Sequence, residues 1–325
     1  MSRPWKQFLI YRLPAVILFL GVIVEALAAL LQGTPQLRHP LDYLLISMKQ
    51  AEISNSGVVI LGDSVTQDTA NQYRLASKAQ LADLTTNQAS GMTGSYILLR
   101  RHMKKNGSPR HVIIAATPEF FGYTPTAATA KVYLSSVFTD ADEQRYLSSV
   151  GLLPDIQEWR PAVLDIEDRV FNKLTSFIFT NSPPEKYKKP SPPGNPTLEG
   201  LGGNATSIVA IKSRFRSQLK LSKTAQRALQ DICRLITPQN ATLHIVVAPI
   251  PASVYRYWKV DKRLESFEIN VRAVANENCQ KIIVSDFNKT RSFPDHAFRD
   301  SDHLRRPGWT ALYAHMLKQY IAGLY

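Results

Sequence analysis

Cysteine is scarce: only Cys233 and Cys279 occur in 325 residues. Their number and spacing fit no zinc site. In an oxidising compartment they can pair, and two buried thiols are the alternative; the sequence does not decide. Acidic residues are also few, 26 against 39 Lys plus Arg, for a formal charge of +13. Such an excess favours polyanionic partners: nucleic acid, anionic lipid head groups or acidic glycans. Charge alone does not choose among them. No internal repeat is present, which excludes a solenoid. What remains, with 44% hydrophobic residues, is an ordinary globular chain able to bury a sizeable core.

A long apolar run stands near the N-terminus. Arg3, Lys6 and Arg12 precede Leu13 to Leu31, interrupted only by Pro14, Gly21 and Glu25. At 1.5 Å per residue this run is ~28 Å long, close to the hydrocarbon thickness of a bilayer. Positive charge on its N-terminal side predicts a single-pass anchor in the cytoplasmic (inner) membrane, with residues 1–12 cytoplasmic and the body periplasmic or extracellular. Ala26-Leu27-Ala28 also satisfies the cleavage rule of a signal peptide, but the run exceeds the usual apolar segment of such peptides. Either way the body is exported, and nucleic acid drops out as a partner.

Residues 32–55 read as a juxtamembrane connector, with Leu41 to Met48 a short helix. The apolar run Val58 to Leu61 then leads into Gly62-Asp63-Ser64-Val65. A helix pattern covers Gln67 to Leu81, a short strand is expected around Leu84 to Asn87, and a helix from Ser95 to Lys105. His111 to Ala116 and Leu243 to Ala248 are continuous apolar runs, the pattern of parallel strands covered on both faces. A helix from Thr224 to Ile236, a strand from Lys281 to Ser285 and a last helix from Trp309 to Leu324 keep strand and helix alternating. Alternation at both ends of residues 56–325 predicts an α/β domain with a central parallel sheet. Between about 123 and 206 the rhythm lapses into an insertion. Helical pieces (Asp140 to Leu152, Ala162 to Phe177) and a Pro- and Gly-rich stretch over 183–203 form a cap or lid there.

Three pieces bear chemistry. Ser64 stands where a buried strand ends and a helix begins, the place where ligands meet an open parallel sheet. A Ser or Asp there can equally be a plain N-cap. Asp300 lies three residues before His303, in the loop after the last strand. An acid so placed orients the ring through Nδ1–H and leaves Nε2 to take a serine proton. Asp302, or Asp295 with His296, offers the same pairing, and a solvated capping loop is the bland alternative. Asn87-Gln88-Ala89-Ser90-Gly91 ends in a glycine whose amide can approach an oxyanion, or which simply makes a turn. No metal site and no cofactor are called for.

In order and spacing, these blocks resemble the SGNH (GDSL-like) hydrolase superfamily. The resemblance implies a flavodoxin-like three-layer α/β/α sandwich and a triad of Ser64, His303 and Asp300. It also implies oxyanion donors from the Ser64 and Gly91 amides. The family's third block, with its oxyanion asparagine, is absent: the strand ending at Ala116 runs into Thr117-Pro118-Glu119-Phe120. Thr117 is the substitute donor available there. Anchored, exported chains lacking that block are similar to alginate O-acetylation proteins of the AlgJ and AlgX type and to DltD-like proteins. That likeness implies O-acylation, above all O-acetylation, of an envelope or exported polysaccharide beside a membrane-bound O-acyltransferase. A non-catalytic scaffold binding glycan or that partner, and a secreted lipase-like esterase on small esters, are the competing readings.

Basic clusters occur at Lys186, Lys188 and Lys189, at Arg100, Arg101, Lys104 and Lys105, and at Lys212, Arg214, Arg216 and Lys220. A solvated face is the default. Arg214 and Arg216, interleaved with Phe215, are the candidates for holding an anionic glycan or lipid head groups.

Overall fold

Five short apolar segments assemble side by side, all parallel, in the order β2-β1-β3-β4-β5. The computed structural model describes residues 12–13, 19–20, 40–53, 56–73, 81–153 and 208–325. From Pro40 onward these belong to one compact unit. The strands are β1 (Val58–Gly62), β2 (Leu81–Asp83), β3 (His111–Ala116), β4 (Thr242–Val247) and β5 (Ile282–Asp286). The order 2-1-3-4-5 is the flavodoxin-like one, with its switch point between β1 and β3.

Successive side chains of a strand face opposite sides, and here both sides are dry. Val59, Leu61, Val112, Ile114, Leu243 and Ile245 point into one core. That core is closed by helices α1 (Pro40–Ile53), α3 (Gly91–Asn106), α7 (Lys223–Ile236), α8 (Ala252–Val260) and α9 (Arg263–Asn276). Val58, Ile60, Ile113, Ala115 and Val246 point into the other, beneath α2 (Ser64–Tyr73) and the C-terminal helix α11 (Gly308–Ala322). The result is the expected three-layer sandwich.

Several boundaries shift. Helix α2 starts at Ser64 rather than Gln67 because Asp63 caps it: its Oδ1 accepts the Val65 and Thr66 amides. Strand β2 lies at Leu81–Asp83, ahead of the expected Leu84 to Asn87. The ladder nevertheless continues, since the Leu84 and Thr86 amides donate to the Ile60 and Gly62 carbonyls. Helix α1 is longer than expected, and its Leu44 and Ala51 are fully buried in the core. Within the expected insertion, α5 (Ala141–Ser149) is started by a capping box of Asp140 and Glu143.

Helices α8 and α9 were not anticipated, although Leu264, Phe267, Val271 and Val274 carry helical spacing. The open question of the cysteines is answered: Cys233 on α7 and Cys279 just past α9 form a disulfide. Among the described residues no helix is long and apolar enough to cross a membrane. The expected anchor over 13–31 lies almost wholly outside the described residues, as do the Ala162 to Phe177 helix and the 183–203 stretch.

Candidate active site

Strand β1 ends at Gly62, where the backbone passes so close to β3 that an added Cβ would sit 2.0 Å from the Ala115 carbonyl oxygen. Only glycine fits. This close approach sets the next two residues at the carboxyl end of the sheet, at the switch point. Asp63 is buried and fully engaged: Oδ1 caps α2, while Oδ2 accepts the Thr117 amide at 2.8 Å and the Thr117 hydroxyl at 2.9 Å. Burial pushes its carboxyl above the ordinary range, against the hydrogen bonds from Thr117. Asp63 thus ties the start of α2 to the end of β3. Beneath it the Tyr313 hydroxyl meets Thr66 Oγ1, which donates to the Ala115 carbonyl.

Ser64 is the first residue of α2, and its Oγ lies 3.0 Å from His303 Nε2. The ring's Nδ1 is 3.1 Å from each carboxylate oxygen of Asp300 and 3.1 Å from Asp302 Oδ1. The three-residue spacing has a local cause. Asp300 Oδ1 also accepts the amides of Asp302 and His303, closing a tight turn that carries the ring back over the same carboxylate. The Arg299 amide, donating to the His303 carbonyl, seals the turn.

The electrostatics follow from this placement. Burial pulls the His303 imidazolium down, but the hydrogen bonds and charges of Asp300 and Asp302 outweigh it and push the ring up to about 9. Asp300 is partly buried, yet its hydrogen bonds to the His303 ring and backbone hold it well below the usual carboxylate range. With Nδ1–H turned to carboxylate, the neutral ring presents an Nε2 lone pair to the serine hydroxyl. This is the arrangement that activates a serine. The competing pair is placed otherwise: Asp295 accepts the Ser253 amide, and His296 packs edge-on against Trp309. Asp300, Asp302 and His303 also form a group whose ligand atoms lie within 4.8 Å of one another, close enough to grip a cation. The same three residues set the ring that meets Ser64 through Nε2.

The expected oxyanion donors separate. The Ser64 amide stands in the first turn of α2, where helix amides have no intrahelical acceptor and the helix dipole favours negative charge. Gly91 does need its glycine, with φ +57°, but its amide donates to the Gln88 carbonyl. Thr117 directs both of its donors at Asp63, because a buried carboxylate outcompetes an open site for them. Two of the three expected donors are therefore already engaged within the chain.

The candidate substrate residues also divide. Arg216 is exposed. Arg214 is buried and paired with Glu119, so it does not stand on an open basic face. Arg100 and Arg101 likewise pair with Asp142 and Glu143. Glu119 had no role in the sequence; Asp302 stood there only as an alternative acid, and Asp63 as no more than an N-cap, whereas here Asp302 shares the ring with Asp300 and Asp63 also holds Thr117. The buried run into Gly62-Asp63 could have signalled the part played by Asp63.

No family model matches the chain, and no curated protein does. Among solved structures, one named for platelet activating factor from Streptococcus pneumonia aligns over 91% of this chain and 99% of its own, at 10% identity and TM-score 0.39. A GDSL-like lipase from Bacteroides thetaiotaomicron aligns over 88% and 100%, at 12% identity and TM-score 0.38. At these scores the likeness is loose, and what the chain does is read from its own geometry.

Proposed function

We propose that the chain is an SGNH-type serine acyltransferase or esterase that acts outside the cytoplasm and O-acylates, most simply O-acetylates, an envelope or secreted polysaccharide. The carrying observation is the 3.0 Å contact of Ser64 Oγ with His303 Nε2, backed by Asp300. In the forward step Ser64 Oγ bonds to the acyl carbon as its proton passes to His303 Nε2. The imidazolium then protonates the departing group, leaving acyl-Ser64. A sugar hydroxyl gives its proton to His303 and takes the acyl group, restoring the serine. Water in the acceptor's place makes the same site an esterase.

Export is supported by the charge-flanked apolar run over 13–31 and by a disulfide, the usage of an oxidising compartment. A membrane-bound O-acyltransferase is the partner that would supply the acyl group at that surface. The engaged Gly91 and Thr117 donors favour transfer from an activated donor over fast hydrolysis, since losing one oxyanion donor typically costs about 10²–10³ in rate. Those same donors give the scaffold reading its one favourable observation.

A fluorophosphonate probe separates them. Labelling of the wild type that disappears in Ser64→Ala supports the catalytic reading; absence of labelling from pH 6 to 10 supports the scaffold. Brisk turnover of p-nitrophenyl acetate would favour the simple esterase.

A further inference from the structure

Among the described residues Arg214 is the only Arg or Lys that is buried. Each of its three nitrogens has an oxygen close by. Nε and Nη2 lie 2.7 and 2.6 Å from the two oxygens of Glu119, and Nη1 donates to the Ser301 carbonyl at 2.7 Å. The group lies over the buried ring of Trp258, 5.9 Å from its centroid. Removing one partner of a buried ion pair leaves an uncompensated charge, so Arg214 and Glu119 hold each other in place.

Its position gives it a use. Ser301 is inside the turn from Asp300 to His303, which sits half-exposed at the end of the sheet. Glu119 is two residues beyond Thr117, whose two donors hold Asp63 beside Ser64. The chain Glu119–Arg214–Ser301 therefore joins the segment that positions the nucleophile to the turn that carries the base.

We propose that Arg214 is a positioning residue: clamped by Glu119, it fixes the Ser301 carbonyl and so sets where His303 Nε2 stands relative to Ser64. It is thereby removed from direct substrate binding. The activity readout rests on Ser64 being the nucleophile, so a second readout is independent of chemistry.

In the full chain, Arg214→Gln should slow fluorophosphonate labelling of the folded protein by about 10–100-fold, the scale of a 1 Å misplacement. Arg214→Lys keeps the charge but not the fork, and should fall between. The amides of Asp302 and His303 should exchange with solvent about tenfold faster in both variants, while those of β4 do not change. Wild-type labelling rate and pH midpoint in folded variants, or unchanged exchange at Asp302 and His303, would overturn the assignment. If the wild type itself does not label, the functional reading fails and the exchange data alone decide this one. Should Arg214→Gln not fold, Arg214→Lys and Glu119→Gln carry the test. Collapse of all three means that Arg214 supports the fold at large, which also overturns it.

Discussion

His303 and His244 are both largely enclosed, and each ring nitrogen that matters has a partner about 3 Å away. Their neighbours drive them in opposite directions. His303 faces the carboxylates of Asp300 and Asp302 and is pushed up to about 9. His244, on β4 beneath α11, meets His111 Nδ1 through its Nε2 at 3.0 Å and the Tyr320 hydroxyl through Nδ1 at 2.9 Å. Burial and the second imidazole pull it down to about 4, and burial with Arg110 lowers His111. One histidine is built to accept a proton and the other to refuse one. The difference lies in the charge of what surrounds each ring, not in burial.

Removing each ring in turn separates the two most sharply. His303→Ala should reduce fluorophosphonate labelling by about 10³-fold or more, while His244→Gln should label at the wild-type rate and melt at a lower temperature. Comparable loss of labelling in both would erase the distinction. The two carboxylates can be separated next. Asp300→Asn should lower the plateau rate by about 10⁴-fold, because the amide favours the wrong tautomer. Asp302→Asn should retain most of the plateau and move its pH midpoint down from about 9, by roughly one unit, as His303 loses one of its two anions. Rate measurements from pH 6 to 10 read both.

Stability shows the same opposition with signs reversed. A ring raised from 6.5 to about 9 contributes stability that is complete below pH 6.5 and fades as pH rises toward 9. A ring lowered to about 4 acts inversely: the unfolded chain binds the proton first, so stability falls as pH drops from 6.5 to 4, by at most about 3 kcal/mol. Urea unfolding of wild type and His244→Gln should show a shallower acid slope in the variant; equal slopes would remove His244 from the account. Away from both sites, Gly62→Ala should cost about 1–3 kcal/mol by forcing β1 off the Ala115 carbonyl. Its labelling rate in the remaining folded protein should also fall, because Asp63 and Ser64 follow directly.

Much of this was legible in the residues. Continuous apolar strands and alternating helices announced a parallel sheet, and the three-residue spacing of Asp300 and His303 pointed to Ser64 across 239 residues of sequence. Local spacing worked because the Asp300 carboxylate both closes the turn and meets the ring. The oxyanion donors were not legible, since where an amide points depends on its backbone partner: Gln88 captures Gly91, and Asp63 captures Thr117. Arg214 misled for a related reason. A charge count cannot see that Glu119, 95 residues earlier, arrives to bury it. The His111–His244 pair was invisible for want of any short-range pattern; it arises from the register of β3 against β4.

If Ser64 is a nucleophile whose proton goes to His303, the intact mass of the protein after timed exposure to a fluorophosphonate at a series of pH values should show a single adduct, on Ser64. Its rate should rise about tenfold per pH unit below the midpoint and level off near pH 9, because only the neutral ring accepts the proton. An adduct rate that is flat across this range, or an adduct that persists in Ser64→Ala, would contradict that chemistry.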